Sequence, residues 1–585
     1  MYVKIQKKAI LILYSKKGAA AMKNVSIPVG VSNFAEIRKN GYYYIDKSGL
    51  INQILESVGT KVTLITRPRR FGKTLGMNML ASFFDIRKNS KALFEGLEIT
   101  ENQNLCNDWM NQYPTLFLTF KDVDGLTFES ARDMLRAQIA QICNEHEYLL
   151  NSKTVSENDK QTFRQLADMV NGRPDDAMLK TSLVLLMRMM QAHYGKQVIL
   201  LLDEYDVPMA KASAHGYYDQ MLEIIRAIMS TALKDNSYLQ FAVITGCLKI
   251  SKESIFTGTN NFISDTITDS RLNEYFGFTS SDVEQILADT GYQEKSELVR
   301  AWYDGYHFGR FDIYCPWDVL NYIYRLQYDP NARPQSFWKN TSDNAIIRSF
   351  IDMKGNSISE KLEILMAGGY IKERIVEDMT YDYLHSSEEN FWSILYLTGY
   401  LTRMREADLP KTEWDSLQDG EFVLTIPNAE VREIFESTIQ KWFSDYAQVS
   451  DRKALFDAVW SGDTEKLTKE MNKLLRQTIS YHDYREDFYH AFLAGIFAGG
   501  GYMVESNKEH GEGRSDVVVK DMRGGRIAIF EAKYSKSLEK LKDVCDMALR
   551  QIDDRMYAKE YEDDYDDILC YGIAFYKKRC VVKQK

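Results

Sequence analysis

Residues 62–74 read VTLITRPRRFGKT, and the chain continues from Gly72 to Asp85 as GKTLGMNMLASFFD. Val62 to Thr66 is a short apolar run of the kind that forms a buried strand, and the apolar spacing behind Gly72 is that of a helix. Strand, loop and helix in that order are the setting a phosphate-binding loop requires, and this loop ends in Gly-Lys-Thr. Each residue type has a definite task there. Backbone N–H groups of the loop and the helix N-terminus hold phosphate oxygens, Lys73 reaches the β and γ phosphates of ATP, and Thr74 offers its hydroxyl to Mg²⁺. Gly72 lets the backbone approach closely. Arg67 stands where the pattern G-x-x-x-x-G-K-[ST] has its first glycine, so the loop is stiffer and more cationic than usual. Arg70 joins Gly72, Lys73 and Thr74 as a candidate nucleotide-binding residue.

Further along, Leu200 to Asp206 reads LLLDEYD, an apolar strand delivering adjacent acids at its C-terminal end. This is a Walker-B pattern. Asp203 is placed to hold Mg²⁺ directly or through water, and Glu204 to polarise the water that attacks the terminal phosphate. Leu239 to Gly246, LQFAVITG, is a third apolar run, and Thr245 at its end is a candidate sensor of the γ-phosphate. Long helical stretches, 175–195 and 218–235, lie among these strands. Strands alternating with helices imply an α/β fold whose mostly parallel sheet is covered on both faces.

The segment from about 261 to 465 is helix-rich and aromatic, with phrases such as WYDGYHFG and ENFWSILYLTGYLT, and shows no catalytic signature. From Phe488 the order becomes helix, strand, strand, strand, helix, strand, a compact α/β unit of its own. There Asp516 falls on one strand, and Glu531 and Lys533 fall on the next as Glu-Ala-Lys, so period-2 geometry puts the last two on one face. Carboxylates converging from neighbouring strands can bind Mg²⁺ or Mn²⁺, and a lysine beside them can orient or deprotonate water for attack on a phosphodiester. Gln551 lies on the following helix, where a polar group can face the site. His307 and His490 sit among aromatics and read as structural histidines, and the acidic run from Glu560 to Asp567 reads as a solvated loop. Lys577, Lys578 and Arg579 could touch a phosphate backbone or form a solvated edge.

Length bounds the organisation: 585 residues exceed what one core can hold, which is roughly 250 to 300. The expected division is a dispensable leader at 1–22, a P-loop domain at 23–260, the helical middle at 261–465 and the C-terminal unit at 466–585. The net charge of -10 argues against a protein that coats nucleic acid through bulk charge and confines any such contact to a local basic patch. Seven scattered cysteines without CxxC spacing suggest neither a disulfide framework nor a zinc site, and a reducing cytoplasm is the expected setting. The apolar run from Ala9 to Tyr14 is too short for a secretory or membrane segment, so no membrane contact is expected.

With these residues in place, the chain resembles bacterial proteins that join an AAA-ATPase-like N-terminal domain to a C-terminal PD-(D/E)xK nuclease-superfamily domain. The resemblance runs from about Val25 onward. It rests on GYYYIDKSGLI (41–51), RPRRFGKTL (67–75), LLLDEYDVP (200–208), KESIFTGTNN (252–261), YFGFT (275–279), WYDGYHFG (302–309), ENFWSILYLTGYL (389–401), GRSDVVV (513–519) and IFEAKY (529–534). Members similarly carry arginine at the position of Arg67. Lys249, where the resemblance leads one to expect arginine, is a departure that removes support for a catalytic arginine there. The resemblance implies a P-loop NTPase parallel sheet, a helical middle and a restriction-endonuclease-like domain, with ATP and Mg²⁺ (or Mn²⁺ at the nuclease site) as cofactors. It implies DNA or RNA as partner and leaves room for a homo-oligomer. Two rival readings are a nucleotide-gated switch whose nuclease fold binds without cutting, and an ATP-driven remodeller of a protein partner.

Overall fold

The computed structural model describes residues 25–56, 59–168, 175–250, 262–338, 356–379, 387–438, 453–478, 486–510, 513–522 and 524–585. The leader at 1–22 and the phrase at 252–261 lie outside them. The chain divides into two compact units, Met1–Phe337 with Glu373–Phe422 and Trp338–Lys372 with Val423–Lys585. Residues 261–465 are thus shared between the two units. No helix of the described residues is long and apolar enough to cross a membrane, and all seven cysteines are free thiols.

In the first unit, β1 (Val62–Thr66) leads into helix α1 (Lys73–Phe84), followed by β2 (Thr115–Thr119), α2 (Phe128–Glu145) and α3 (Asp176–Tyr194). Then come β3 (Val198–Asp203), α4 (Tyr218–Leu233), β4 (Leu239–Gly246) and β5 (Phe262–Asp265). The five strands form one parallel sheet in the order β2-β3-β4-β1-β5. Every residue of β1 and β3 is buried, as strands covered on both faces require. One face turns Ile65, Ile199, Leu201 and Val243 toward Met77, Leu80 and Phe84 of α1. At about 1.5–3 kcal/mol for each fully buried side chain, that layer anchors α1 under the loop that precedes it. The strands at β2 and β5 were not legible as such. β5 lies beyond position 260, carries Asp265 and packs beside β1, so the sheet extends past the boundary drawn from the sequence.

The second unit carries α5 (Thr464–Thr478), α6 (Glu486–Gly499), β6 (Met503–His510), β7 (Gly513–Asp521) and β8 (Arg526–Tyr534). They are followed by α7 (Leu541–Asp554), β9 (Asp567–Tyr576) and β10 (Arg579–Gln584). The sheet runs in chain order, β6 to β10, with antiparallel neighbours throughout except the parallel pair β8–β9. On one face α6 stacks Tyr489 on Phe575, with ring centroids 4.0 Å apart, and Phe497 against Phe530 at 5.0 Å. On the other face α7 packs closely enough that a Cβ at Gly572 would come within 2.7 Å of the Cys545 carbonyl. The last strand, β10, was not anticipated. Its exposed edge is covered by α5: Asn472 exchanges hydrogen bonds with Cys580 N and O at 2.8 and 3.0 Å, and Val582 N donates to Thr468 Oγ1 at 3.0 Å.

Candidate functional site

The first site forms where β1, β4 and β3 end. Because β4 lies between the other two, Thr245 is delivered between the phosphate loop and Asp203. The Thr245 hydroxyl donates to Asp203 Oδ1 at 2.5 Å, and the Thr74 hydroxyl donates to Oδ2 at 2.8 Å. Asp203 is fully buried, where a carboxylate without donors would cost several kcal/mol, on the order of the desolvation of an ion. Its two oxygens are answered by one hydroxyl each. Three residues that the sequence placed in separate motifs therefore meet on a single carboxylate.

The residues after Asp203 shape the same edge. Glu204 has φ of 55°, a left-handed conformation that costs a non-glycine about 1–2 kcal/mol. Neighbouring bonds hold it there: Tyr205 N donates to Thr245 O at 3.0 Å, and the Tyr205 hydroxyl bridges Leu248 O and Ile250 N, each at 2.9 Å. Asp206 Oδ2 accepts from Cys247 N and Leu248 N at 2.9 and 3.0 Å. Gly246 is required by this packing, since a Cβ there would sit 2.6 Å from the Tyr205 ring. Burial pushes the Glu204 carboxyl above its usual range, against the downward pull of Lys73. A carboxyl raised in this way is a better proton acceptor for water.

In the loop, Gly72 has φ of 85° at the N-cap of α1, a conformation glycine alone adopts freely. Lys73 is 5% exposed, and its Nζ donates to Arg67 O and Pro68 O, both at 2.8 Å. The three arginines of the loop part company. Arg67 does not add exposed positive charge: it is fully buried, with Nη2 2.6 Å from Asp265 Oδ1, Nη1 2.8 Å from Thr66 O and from Asp265 O, and the guanidinium over the Phe276 ring. It ties the loop to β5. Arg70, named from the sequence as a nucleotide-binding candidate, places its guanidinium 5.3 Å from the Trp317 ring and Nη1 3.5 Å from Phe337 O. Arg69 is exposed, and its charge is the one that acts on Glu204 and Cys247. Nothing in the spelling RPRR separates these roles. Lys249 pairs with Asp378 at 2.8 Å.

The second site lies in the C-terminal sheet. The β7–β8 ladder ends at Val517 and Phe530, and beyond it Asp516 Oδ2 accepts from Ala532 N at 2.7 Å. Asp516 and Glu531 thus flank the point where the strands part. Lys533 shares the Glu531 face as period-2 geometry requires, with Nζ 3.1 Å from Glu531 Oε1. This ion pair is the contact that the 0% exposed Glu531 carboxylate makes among the described residues, and it leaves Oε2 without a hydrogen bond there. Burial, and then the negative charge of Asp516, push the Glu531 carboxyl up to about 7, while Lys533 and His490 pull the other way.

His490 is a neighbour of this site that the sequence did not bring to it. Its aromatic neighbours in the sequence suggest a structural role, and α6 brings its Nε2 to 3.1 Å from Asp516 Oδ2. Gln551, expected to face the site from α7, has Nε2 3.5 Å from the Tyr557 hydroxyl, and the charges of Glu531 and Asp516 bear on that tyrosine. Among the described residues no group of three or more His, Cys, Asp and Glu side chains is arranged to hold a metal ion. Two carboxylates nonetheless fit Mg²⁺, which keeps several waters and takes one or two carboxylates together with substrate phosphate. The buried Glu531 Oε2, unbonded among the described residues, is what such an ion would satisfy.

Comparison with known proteins identifies a domain around each site. Residues 28–256 match the family described as Predicted AAA-ATPase, and residues 484–585 match the PD-(D/E)XK nuclease superfamily. A protein of Azotobacter chroococcum mcd 1, described as "Uncharacterized protein in vnfD 5'region", is 25% identical over 565 residues, covering 95% of this chain and 97% of its own. The chain therefore joins an AAA-ATPase-like domain to a C-terminal domain of the PD-(D/E)XK nuclease superfamily.

Proposed function

We propose that the N-terminal domain binds and hydrolyses ATP, and that the C-terminal domain cleaves nucleic acid with a divalent cation under the control of the nucleotide state. The observation that carries the nuclease half is Glu531: a fully buried carboxylate beside Asp516, paired through Oε1 with the Lys533 ammonium at 3.1 Å and with Oε2 unbonded among the described residues. Keeping such a group in the core is costly unless an ion completes it. Asp516 and Glu531 would hold Mg²⁺ or Mn²⁺, and the ion when bound would neutralise both carboxylates and acidify a water. Lys533 orients that water and stabilises charge on the phosphate. His490 orients Asp516.

In the ATPase half, Lys73 and the N–H groups after Gly72 bind phosphate. Thr74 and Asp203 would hold the accompanying Mg²⁺. Glu204 accepts the proton of the attacking water, Thr245 couples β4 to Asp203, and Arg69 faces the phosphates. The test is cleavage of single- and double-stranded DNA and RNA with Mg²⁺ or Mn²⁺, with and without ATP. Asp516→Ala and Glu531→Ala are expected to lose both cleavage and the rise in melting temperature caused by metal, whereas Lys533→Ala keeps the rise and loses cleavage. If the wild type binds metal and nucleic acid but cuts none of these substrates, the domain is a binding module instead. Cleavage that survives Glu531→Ala would place the chemistry elsewhere.

A further inference from the structure

The second unit contains a groove of about 730 Å³ between α5, the start of α7 and the edge strand β10, lined in part by Lys469, Asn472, Lys473, Leu541, Arg579 and Val581. It is basic in a chain whose net charge is -10. Neither Lys469 nor Arg579 has an ion-pair partner among the described residues, and Lys473 has only Glu470, at 3.9 Å. A pair that long between such side chains contributes little, on the order of 0–1 kcal/mol. The cations are also held in a fixed frame. Lys469, Asn472 and Lys473 recur at helical spacing on one face of α5, and Asn472 is locked to both backbone groups of Cys580, the residue after Arg579.

Strand register relates this groove to the catalytic hairpin. Lys533 of β8 pairs with Ala574 of β9, and Ala574 pairs with Val581 of β10, which lines the groove. Two strand spacings of about 4.8 Å each therefore separate the Lys533 position from the groove wall, on the order of 10 Å. Paired residues across a sheet share a face, and Ala574 and Val581 pack with Leu541 of α7 on that face. We propose that this groove carries the phosphate backbone of the nucleic acid to the Asp516–Glu531–Lys533 site, with Lys469, Lys473 and Arg579 as its phosphate contacts. The proposal rests on the nuclease reading and adds the surface by which substrate is held. It also gives α5 a role: that helix lies before residue 484, outside the nuclease-superfamily match. Three lysine or arginine contacts to phosphate predict sequence-independent, salt-sensitive binding.

The experiment uses the full chain with EDTA, so that no strand is cut, and measures fluorescence anisotropy of labelled single- and double-stranded DNA and RNA of mixed sequence. The variant K469E/K473E/R579E is compared with wild type, with a milder K469A/R579A variant, and with K153E as a control for net charge. Affinity is expected to fall about tenfold or more in the triple variant, and the slope of log affinity against log salt between about 50 and 200 mM to become shallower by about two to three. The double variant should lie between, and K153E should match wild type. The metal-induced rise in melting temperature should be unchanged in all variants, which shows that the fold and the carboxylate site are intact. Unchanged affinity and slope in a folded triple variant would overturn the groove while leaving the nuclease reading standing. Failure of the wild type to bind any of the four nucleic acids would overturn both.

Discussion

The Thr245 hydroxyl donates to Asp203 Oδ1 at 2.5 Å while the opposite oxygen of the same carboxylate is taken by Thr74. The end of β4 is thereby coupled to the start of α1 through one buried acid. Replacing Thr245 with Val keeps the shape and removes the donor, at a cost of about 1.5–3 kcal/mol for a hydrogen bond to a charged group. If that cost falls on the transition state, ATP turnover drops about 10- to 100-fold. Titration calorimetry with ATP and steady-state phosphate release separate the two effects. Turnover equal to wild type would show that Thr245 is structural.

Lys73 and Glu204 should divide binding from chemistry. Lys73→Ala is expected to lose measurable ATP binding, because Arg67 is committed to Asp265 and cannot substitute for it. Glu204→Gln should bind ATP with Mg²⁺ and turn it over about 10²- to 10⁴-fold more slowly, since an amide accepts no proton. Equal ATP affinity in wild type and Lys73→Ala would hand the phosphates to Arg69.

The Arg67–Asp265 pair is 0% and 2% exposed on its two side chains. Asp265→Asn leaves a buried guanidinium without its counter-charge, so the first unit should lose about 3–5 kcal/mol in urea unfolding. Arg67→Gly, which restores the usual glycine of the loop but strands Asp265, should also destabilise. A loss below about 1 kcal/mol in both variants would mean that water reaches the pair.

Glu531 makes stability depend on pH in an unusual direction. Its folded pKa, about 7, lies above the ordinary carboxyl value of 4.5. The folded state therefore holds more protons than the unfolded state between those limits, and stability falls as pH rises from about 4.5 to about 7. In EDTA, the second unit should melt progressively lower across that range, and Glu531→Gln should flatten the profile and raise the melting temperature at pH above 7. With Mg²⁺ the order reverses, because the ion needs the ionised carboxylate and binds more tightly as pH rises. A pH profile identical in wild type and Glu531→Gln would remove this assignment.

Several features were legible because they depend on residues close together in the chain. VTLIT and VILLLD are short runs dominated by β-branched and aliphatic residues and read as buried strands, Gly-Lys-Thr at a strand-to-helix turn could be read as a phosphate loop, and Glu531 and Lys533 had to share a face. Other features left no local trace. β10 follows a two-residue turn of Lys577 and Lys578, with φ of 51° at Lys577, where hairpin turns usually announce themselves with Asn-Gly or Asp-Gly. β5 is only four residues long, and two of the four are polar.

What the sequence alone determined, then, is the order of strands and helices and the identity of the acids, lysines and hydroxyls at strand ends, because backbone periodicity and turn geometry act over a few residues. Tertiary structure decided which of the three loop arginines is structural, that His490 meets Asp516, and that a basic groove stands beside the hairpin. Arg67 finds Asp265 across 198 positions of chain. A side chain's role as ligand, staple or orienting group is set by burial and by the partner opposite it, and neither is encoded in its neighbours along the sequence.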